Sequence, residues 1–416
     1  MNSFDVIVLG AGMAGVSVAL HLQQRGRRVL LVDRLEPGEG TSYGNAGVVE
    51  IDGFEPVTFP SDLRAILRYA FNREPDVHYH LKTLLRMAPW LNTLRRHSQP
   101  GALARYAQIM KPLIVSAGEA HRHLAEPAGA LDFYRHTGWI KLFRHAGSQS
   151  GARQMMQAAE LAGSRFSSLS KADMADLEPS ISGDFHTALY FPETRSVSSP
   201  GGVTKAFAQT FIANGGVFKK ADAASLAQDL DAGRWQIETS DGPCSAPDAV
   251  VSLGPWSSVL VSRLGYRLPL EVKRGYHQHF AAMGNAGLSR PVIDIDNGYA
   301  ITPMEKGIRL TSGIEFAELD SPPTPVQMQR ILPHARGLFP LGEAVEPEPW
   351  MGNRPCMPDS MPVLGKAPRH RGLWFSFGHG HWGFSLGPVT GKLVAQAITG
   401  ESPDCDIAPL SAARFA

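Results

Sequence analysis

Residues 4–34 constrain this chain more than any other stretch. Val6, Ile7, Val8 and Leu9 form an unbroken apolar run, which predicts a short buried strand over 4–9. It runs into Gly10-Ala11-Gly12-Met13-Ala14-Gly15, a G-x-G-x-x-G turn. Residues 16–25 continue as a helix with Gly26 as its closing residue. Val29–Val32 is a second strand, and it ends at Asp33, eighteen residues after Gly15. Strand, turn, helix, strand and acid in this order make a dinucleotide-binding β-α-β unit. Gly10 permits the tight turn, Gly12 lets a pyrophosphate approach the backbone, and Gly15 lets the helix pack on the sheet. Met13 and Ala14, within the turn, are further candidates to meet the cofactor, and the helix N-terminus offers unpaired N–H groups and a positive dipole end to the phosphates. Asp33, followed by Arg34, can accept hydrogen bonds from a ribose diol. The fingerprint alone does not separate FAD from NAD.

At 416 residues the chain has mass for two or three domains. A net charge of +1 gives no field that would draw it to nucleic acid. Cys244, Cys356 and Cys405 are widely spaced with no C-x-x-C pair, so neither a disulfide framework nor a metal site is expected, which fits a reducing compartment. The apolar stretch 6–20 is too short for a membrane span, which needs about 20 residues. Asp5 rather than a basic residue precedes it, unlike a signal peptide. A cytoplasmic protein is expected.

After Asp33-Arg34 comes a glycine-rich polar loop containing Thr41-Ser42-Tyr43-Gly44-Asn45-Ala46-Gly47. Here a resemblance becomes specific. The G-A-G-M-A-G turn, Asp33-Arg34 and T-S-Y-G-N-A-G resemble the N-terminus of the D-amino-acid oxidase superfamily of FAD enzymes, above all its D-amino-acid dehydrogenase small-subunit family. The resemblance implies FAD, with Thr41, Ser42, Asn45, Ala46 and Gly47 passing beside the flavin.

Residues 62–125 read as helical, with apolar stripes at Leu63, Ile66, Leu67, Ala70 and Phe71 and at Leu81, Leu84, Leu85, Ala88 and Leu91. Pro89 is expected to kink the second helix. Arg64, Arg68, Arg73, Lys82, Arg86, Arg95, Arg96 and Arg105 decorate the other faces. They form either a solvated face or a docking surface for a membrane or redox partner. Further on, Leu177-Glu178-Pro179 resembles the superfamily's L-E-P, and 221–224 lies near where relatives contact the adenine. The strand at Asp248–Val251 leads to Leu253-Gly254-Pro255-Trp256-Ser257, where Gly254 allows close approach to the cofactor and Trp256 packs. Residues 268–345 read as antiparallel strands. Tyr276, His279 and Tyr299 are candidates to line the substrate site there.

Trp350-Met351-Gly352-Asn353-Arg354-Pro355 and Pro358-Asp359-Ser360-Met361-Pro362 resemble the family's G-x-R-P-x-x-P-D-x-x-P, which makes Arg354 the candidate for a substrate carboxylate. A strand at Leu373–Phe377 then leads to a loop with Gly378, His379, Gly380 and Gly383, and a helix over 388–399. Loop N–H groups and a helix start there would stabilise negative charge on a reduced flavin. His379 either donates a hydrogen bond or shapes the turn. Cys356 reads as a packed thiol rather than a covalent flavin anchor.

The expected fold is α/β: a discontinuous Rossmann-like FAD domain (1–50, 146–262 and 346–416) with an antiparallel-sheet α+β substrate domain (51–145 and 263–345). The implied reaction is oxidative deamination of an amino acid, in the family a D-amino acid, by hydride transfer from Cα to flavin N5. The electrons go to a quinone or other carrier in preference to oxygen, with contact at the membrane periphery. Glycine, sarcosine, an opine or hydroxyproline as substrate stays open on the same fold. So does a non-catalytic flavoprotein subunit.

Overall fold

The computed structural model describes residues 2–53, 56–60 and 63–415. Strand Val6–Leu9 is central in a six-stranded sheet, ordered Val217–Lys220, Val29–Asp33, Val6–Leu9, Asp248–Val251, Leu373–Phe377 and Val363–Lys366. All neighbours are parallel except the last pair. Val6 and Val8 enter the core on one face, Ile7 and Leu9 the core on the other. Both faces are covered, so the strand is apolar without alternation.

The fingerprint helix spans Met13–Gln24, starting earlier than the sequence reading puts it. Gly10 has φ +107°, and a Cβ there would sit 2.3 Å from Ser252 O; at Gly15 it would sit 1.8 Å from Gly10 O. Only glycine fits either place. The C-terminal helix Gly383–Thr399 packs beside the fingerprint helix, and a Cβ on Gly391 would lie 2.8 Å from Ser17 Cβ. This helix begins well before the expected 388, so Pro388 lies inside it.

Strand Glu271–Ala282 organises an eleven-stranded sheet by pairing with Gly307–Thr311, Ile314–Phe316, Leu341–Ala344 and Trp350–Cys356. The expected boundaries do not follow this sheet. Ser167–Ser168, Thr187–Phe191 and Trp350–Cys356 all pair into it, although they lie in segments assigned to the cofactor domain. Pairing across the chain, invisible to local pattern, decides membership.

The helical region is broken up as Leu63–Ala70, Leu81–Arg86, Ala88–His97 and Pro100–Ala125, with a short strand Val77–Tyr79 between the first two. Pro89 does not kink a helix. It sits in the first turn of a new one, where its missing N–H costs nothing. The buried stripe is Thr83, Met87, Trp90 and Leu94. Ile66, Leu67, Phe71, Leu81 and Leu85, expected to face the core, are exposed. Among the described residues no helix is long and apolar enough to cross a membrane.

Candidate cofactor and substrate cleft

A cleft follows the C-terminal ends of the parallel strands, where open α/β sheets place ligands. Its walls include Gly10–Ala14 after the first strand, Asp33 and Arg34 after the second, and Ser252–Trp256 after the third. Ser376, Phe377 and the loop 379–383 follow the fourth, and Arg354 and Pro355 enter from the large sheet.

The turn is held by its own side chains. Ala11 N–H donates to Asp33 Oδ2 at 2.7 Å, Leu35 N–H to Asp33 Oδ1 at 3.0 Å, and Met13 N–H to Ser42 Oγ at 2.9 Å. Asn45 braces the following loop, donating to Ser42 O (2.9 Å) and accepting from Gly47 N–H (2.8 Å). Thr41 Oγ1 donates to Asn353 O at 3.0 Å, which ties this loop to the strand of Arg354. Arg34 lies 4.3 Å over the Trp256 ring, so Trp256 packs and also lines the wall.

Of the sequence-derived site residues, Gly10, Gly12, Met13, Ala14, Asp33, Arg34, Thr41, Ser42, Asn45, Gly254, Arg354, His379, Gly380 and Gly383 lie along this cleft. Gly15, Ala46, Gly47 and Gly378 do not line it. Tyr276 and Tyr299 are placed elsewhere, in the core of the large sheet. Tyr276 OH donates to Glu315 Oε2 at 2.6 Å, and Tyr299 OH is buried without a partner. His279 is also buried, pairing with Glu346 at 2.7 Å and accepting from Arg309 at 3.0 Å. Glu178 of the L-E-P segment is a structural anchor, paired with Arg290 at 2.9 Å.

His379 is 3% exposed, and its Nε2 lies 3.0 Å from Thr390 Oγ1, so the ring is tied to the C-terminal helix. His381, not singled out by the sequence reading, is exposed on the cleft wall. Desolvation in the cleft holds its imidazole below the usual value, with Arg354, Lys273 and Lys141 adding repulsion, which favours the neutral ring. G-H-G-H-W-G contains both histidines, and nothing local says which one turns outward.

Arg354 donates to Gly313 O at 2.9 Å and Ser312 O at 3.4 Å, and no ion pair reaches it among the described residues. Burial holds its guanidinium below the usual value. Asp359, the nearest sequence candidate for a partner, is paired with Arg414 at 2.7 Å. Lys273, opposite Arg354 across the strand pair, is also buried, with its ammonium 4.9 Å over the Trp90 ring. The Cys356 thiol is pushed up by burial and lies off the cleft wall.

These residues fit FAD. The fingerprint helix and the C-terminal helix both start on the cleft, and neither has a side-chain cap or an acid in its first turn. Met13 N–H is taken by Ser42, and the positive dipole ends of both helices still suit a phosphate or a negative ring. Ser252 Oγ and Ser376 Oγ, buried on the same wall, have no partner among the described residues. Buried hydroxyls normally have one.

Residues 5–397 match the family model of the DAO, FAD dependent oxidoreductases. The chain belongs to this family. As an FAD-dependent oxidoreductase it is 28% identical over 418 residues to a D-amino-acid oxidase of Bradyrhizobium diazoefficiens, covering 99% of this chain and 98% of the relative. It is 29% identical over 423 residues to a D-amino acid dehydrogenase of Chromohalobacter salexigens, covering 99% and 100%. In fold it is similar to glycine oxidase from Geobacillus kaustophilus, with a TM-score of 0.75, 22% identity and 99% and 98% of the two chains covered.

Proposed function

We infer that this FAD-dependent oxidoreductase oxidises an amino acid at its Cα–N bond, with a D-amino acid as the leading substrate. The observation that carries the reading is Arg354, a cation on the cleft wall whose hydrogen bonds go only to backbone carbonyls. An arginine partly withdrawn from water without an acid is costly until an anion meets it. Its planar fork suits a carboxylate. The D-amino-acid oxidase and dehydrogenase relatives, similar over nearly their whole lengths, support the substrate class.

FAD, when bound along this cleft, would supply the acceptor for the hydride lost from Cα. The protein's share is to orient and to exclude water. Arg354 fixes the carboxylate end. Neutral His381 on the same wall can exchange a hydrogen bond without adding charge. The substrate enters with its amine deprotonated, and the imine that leaves hydrolyses to a 2-oxo acid, or persists if cyclic.

The electron acceptor is a quinone-like carrier rather than oxygen. The exposed apolar side chains Ile66, Leu67, Phe71, Leu81 and Leu85, with Lys82 among them, support contact with a membrane where such a carrier resides. The test is a panel of D-, L- and N-substituted amino acids added anaerobically to purified protein while flavin absorbance is followed. Rapid bleaching by D-amino acids is expected. Bleaching by glycine or sarcosine alone would move the substrate class, and no bleaching by any amine would sink the reading.

A further inference from the structure

We propose that His78, His80 and Glu315 form a site for one divalent transition-metal ion of the zinc class. Strand Val77–Tyr79 pairs in parallel with Ile314–Phe316 and puts His78 opposite Glu315. His80 follows at the mouth of helix Leu81–Arg86. The three side chains bring two imidazoles and a carboxylate together, with ligand atoms within 4.8 Å of one another. His80 Nε2 is 2.9 Å from Glu315 Oε1, and the His78 ring stands edge-on to His80 at 5.5 Å.

Two details point to an ion rather than a plain hydrogen-bond cluster. His78 Nδ1 is shut off from solvent and has no hydrogen-bond partner among the described residues. A buried ring nitrogen in that state is unusual. Glu315 is also divided in its duties. Tyr276 OH donates to Oε2 at 2.6 Å, with Arg274 Nη1 3.9 Å from the same oxygen. Oε1 instead faces His80 and the Thr324 hydroxyl. Tyr276 thus orients the carboxylate as an outer partner of a metal ligand does. Arg274 opposes a cation but sits on the far oxygen, its guanidinium already donating to the carbonyls of Ser321 and Pro322.

Zinc–nitrogen bonds are about 2.0–2.1 Å, which sets ligand atoms roughly 3.3 Å apart in a tetrahedron. The present spacing, 2.9 Å for His80 to Glu315 and within 4.8 Å for all three, brackets that value. The His80 side chain is 38% exposed, which gives an ion its way in and leaves the fourth position to water. Two imidazoles and one carboxylate select Zn²⁺, Co²⁺ or Ni²⁺ over Mg²⁺ or Ca²⁺. The ion would staple the edge strand of the helical region to the strand that follows Ser312 and Gly313, the carbonyls that hold Arg354. It would be a structural ion, not one that touches the reacting atoms.

The test uses full-length, FAD-loaded protein stripped with a chelator and titrated calorimetrically with Zn²⁺ and, separately, Mg²⁺. One Zn²⁺ per chain, a higher melting temperature with Zn²⁺ and silence with Mg²⁺ are expected. His78→Gln/His80→Gln should weaken Zn²⁺ by more than the ~10–100-fold that loss of an outer partner costs. Normal FAD content certifies its fold, and His80→Asn alone, at a half-exposed position, carries the test if the double variant does not load FAD. Equal Zn²⁺ binding by wild type and a folded variant, or none by wild type, overturns the proposal.

Discussion

His121 Nε2 lies 2.9 Å from the carbonyl oxygen of Phe384. That oxygen lacks its helical partner, because the residue four places on is Pro388, which has no N–H. A carbonyl can only accept, so Nε2 carries the proton and Nδ1 accepts from Tyr134 OH at 2.7 Å. The long helix Pro100–Ala125 thereby repairs the break in the helix that begins on the cleft. His121→Leu keeps the bulk and leaves Phe384 O and Tyr134 OH unsatisfied. It should cost about 1–3 kcal/mol per buried group, read as a drop in thermal midpoint of the FAD-loaded protein.

The same histidine predicts a pH dependence. Burial pushes His121 and His379 from 6.5 down to about 4. As pH falls, the unfolded imidazoles take up protons first, near 6.5, and the folded ones only near 4. Between those values the unfolded state holds more protons, so stability is full above pH 6.5 and is lost as pH falls toward 4. Each is worth on the order of 2–4 kcal/mol. Thermal midpoints across pH 4–8 should show this slope, and His121→Leu should flatten it. An unchanged slope would place the sensitivity elsewhere.

Asp33 holds the turn, and substitution can separate that role from a ribose contact. Asp33→Ala removes the acceptor for Ala11 N–H along with any ribose contact, and should weaken FAD by about 1–3 kcal/mol. Asp33→Asn keeps an acceptor for the turn but not the charge, and should fall in between. FAD titration of apoprotein measures both, and wild-type affinity in both variants would show that the ribose is held elsewhere.

Legibility tracked distance along the chain. The β-α-β unit and its glycines were readable because their constraints fall within one short stretch at fixed spacing, with Asp33 eighteen residues after Gly15 and hydrogen-bonded to the turn. The strand-end segments at 254 and 378–383 were found through motif resemblance. His381 was missed because His379 and His381 share one glycine loop, and only the contact with Thr390 shows which ring is tied down. Tyr276 read as a site residue because aromatic alternation along a strand says nothing of which sheet face meets the cleft. Its partner Glu315 is 39 residues away. The stripe at 63–71 had the right period, but periodicity does not say whether anything covers the face.

That uncovered face gives a binding prediction. If Phe71 and Leu85 enter a bilayer surface, burying them is worth about 1.5–3 kcal/mol each. Phe71→Glu/Leu85→Glu should then lower the vesicle-bound fraction at least ~10-fold in co-sedimentation with anionic vesicles. Salt should weaken the wild type through screening of Lys82 and its neighbours. Turnover with a soluble dye should not change. Wild-type protein that stays in the supernatant at low salt would remove the membrane from the account.

Arg354 is the sharpest test of the proposed chemistry. Its guanidinium is aimed by Gly313 O and Ser312 O and is left without an acid among the described residues. A Cβ on Gly275 would fall 2.3 Å from Nη2, so the strand opposite is cut away to seat the fork. Lysine at 354 keeps the charge, but it cannot hold both carbonyls while presenting two parallel donors to a carboxylate. Arg354→Lys should therefore lower kcat/KM on the best D-amino acid at least ~100-fold, since a buried charged pair of this kind is worth about 3 kcal/mol. The loss should appear largely in KM if the contact is uniform, and in kcat if it also sets the Cα–H direction. FAD content should be normal, because the cofactor's candidate contacts lie on other strands. Gly275→Ala should act in the same direction without touching a charge, by displacing the fork. If both variants keep near wild-type kcat/KM, the carboxylate is bound elsewhere, and Lys273, a buried cation opposite Arg354 across the strand pair, becomes the next to replace.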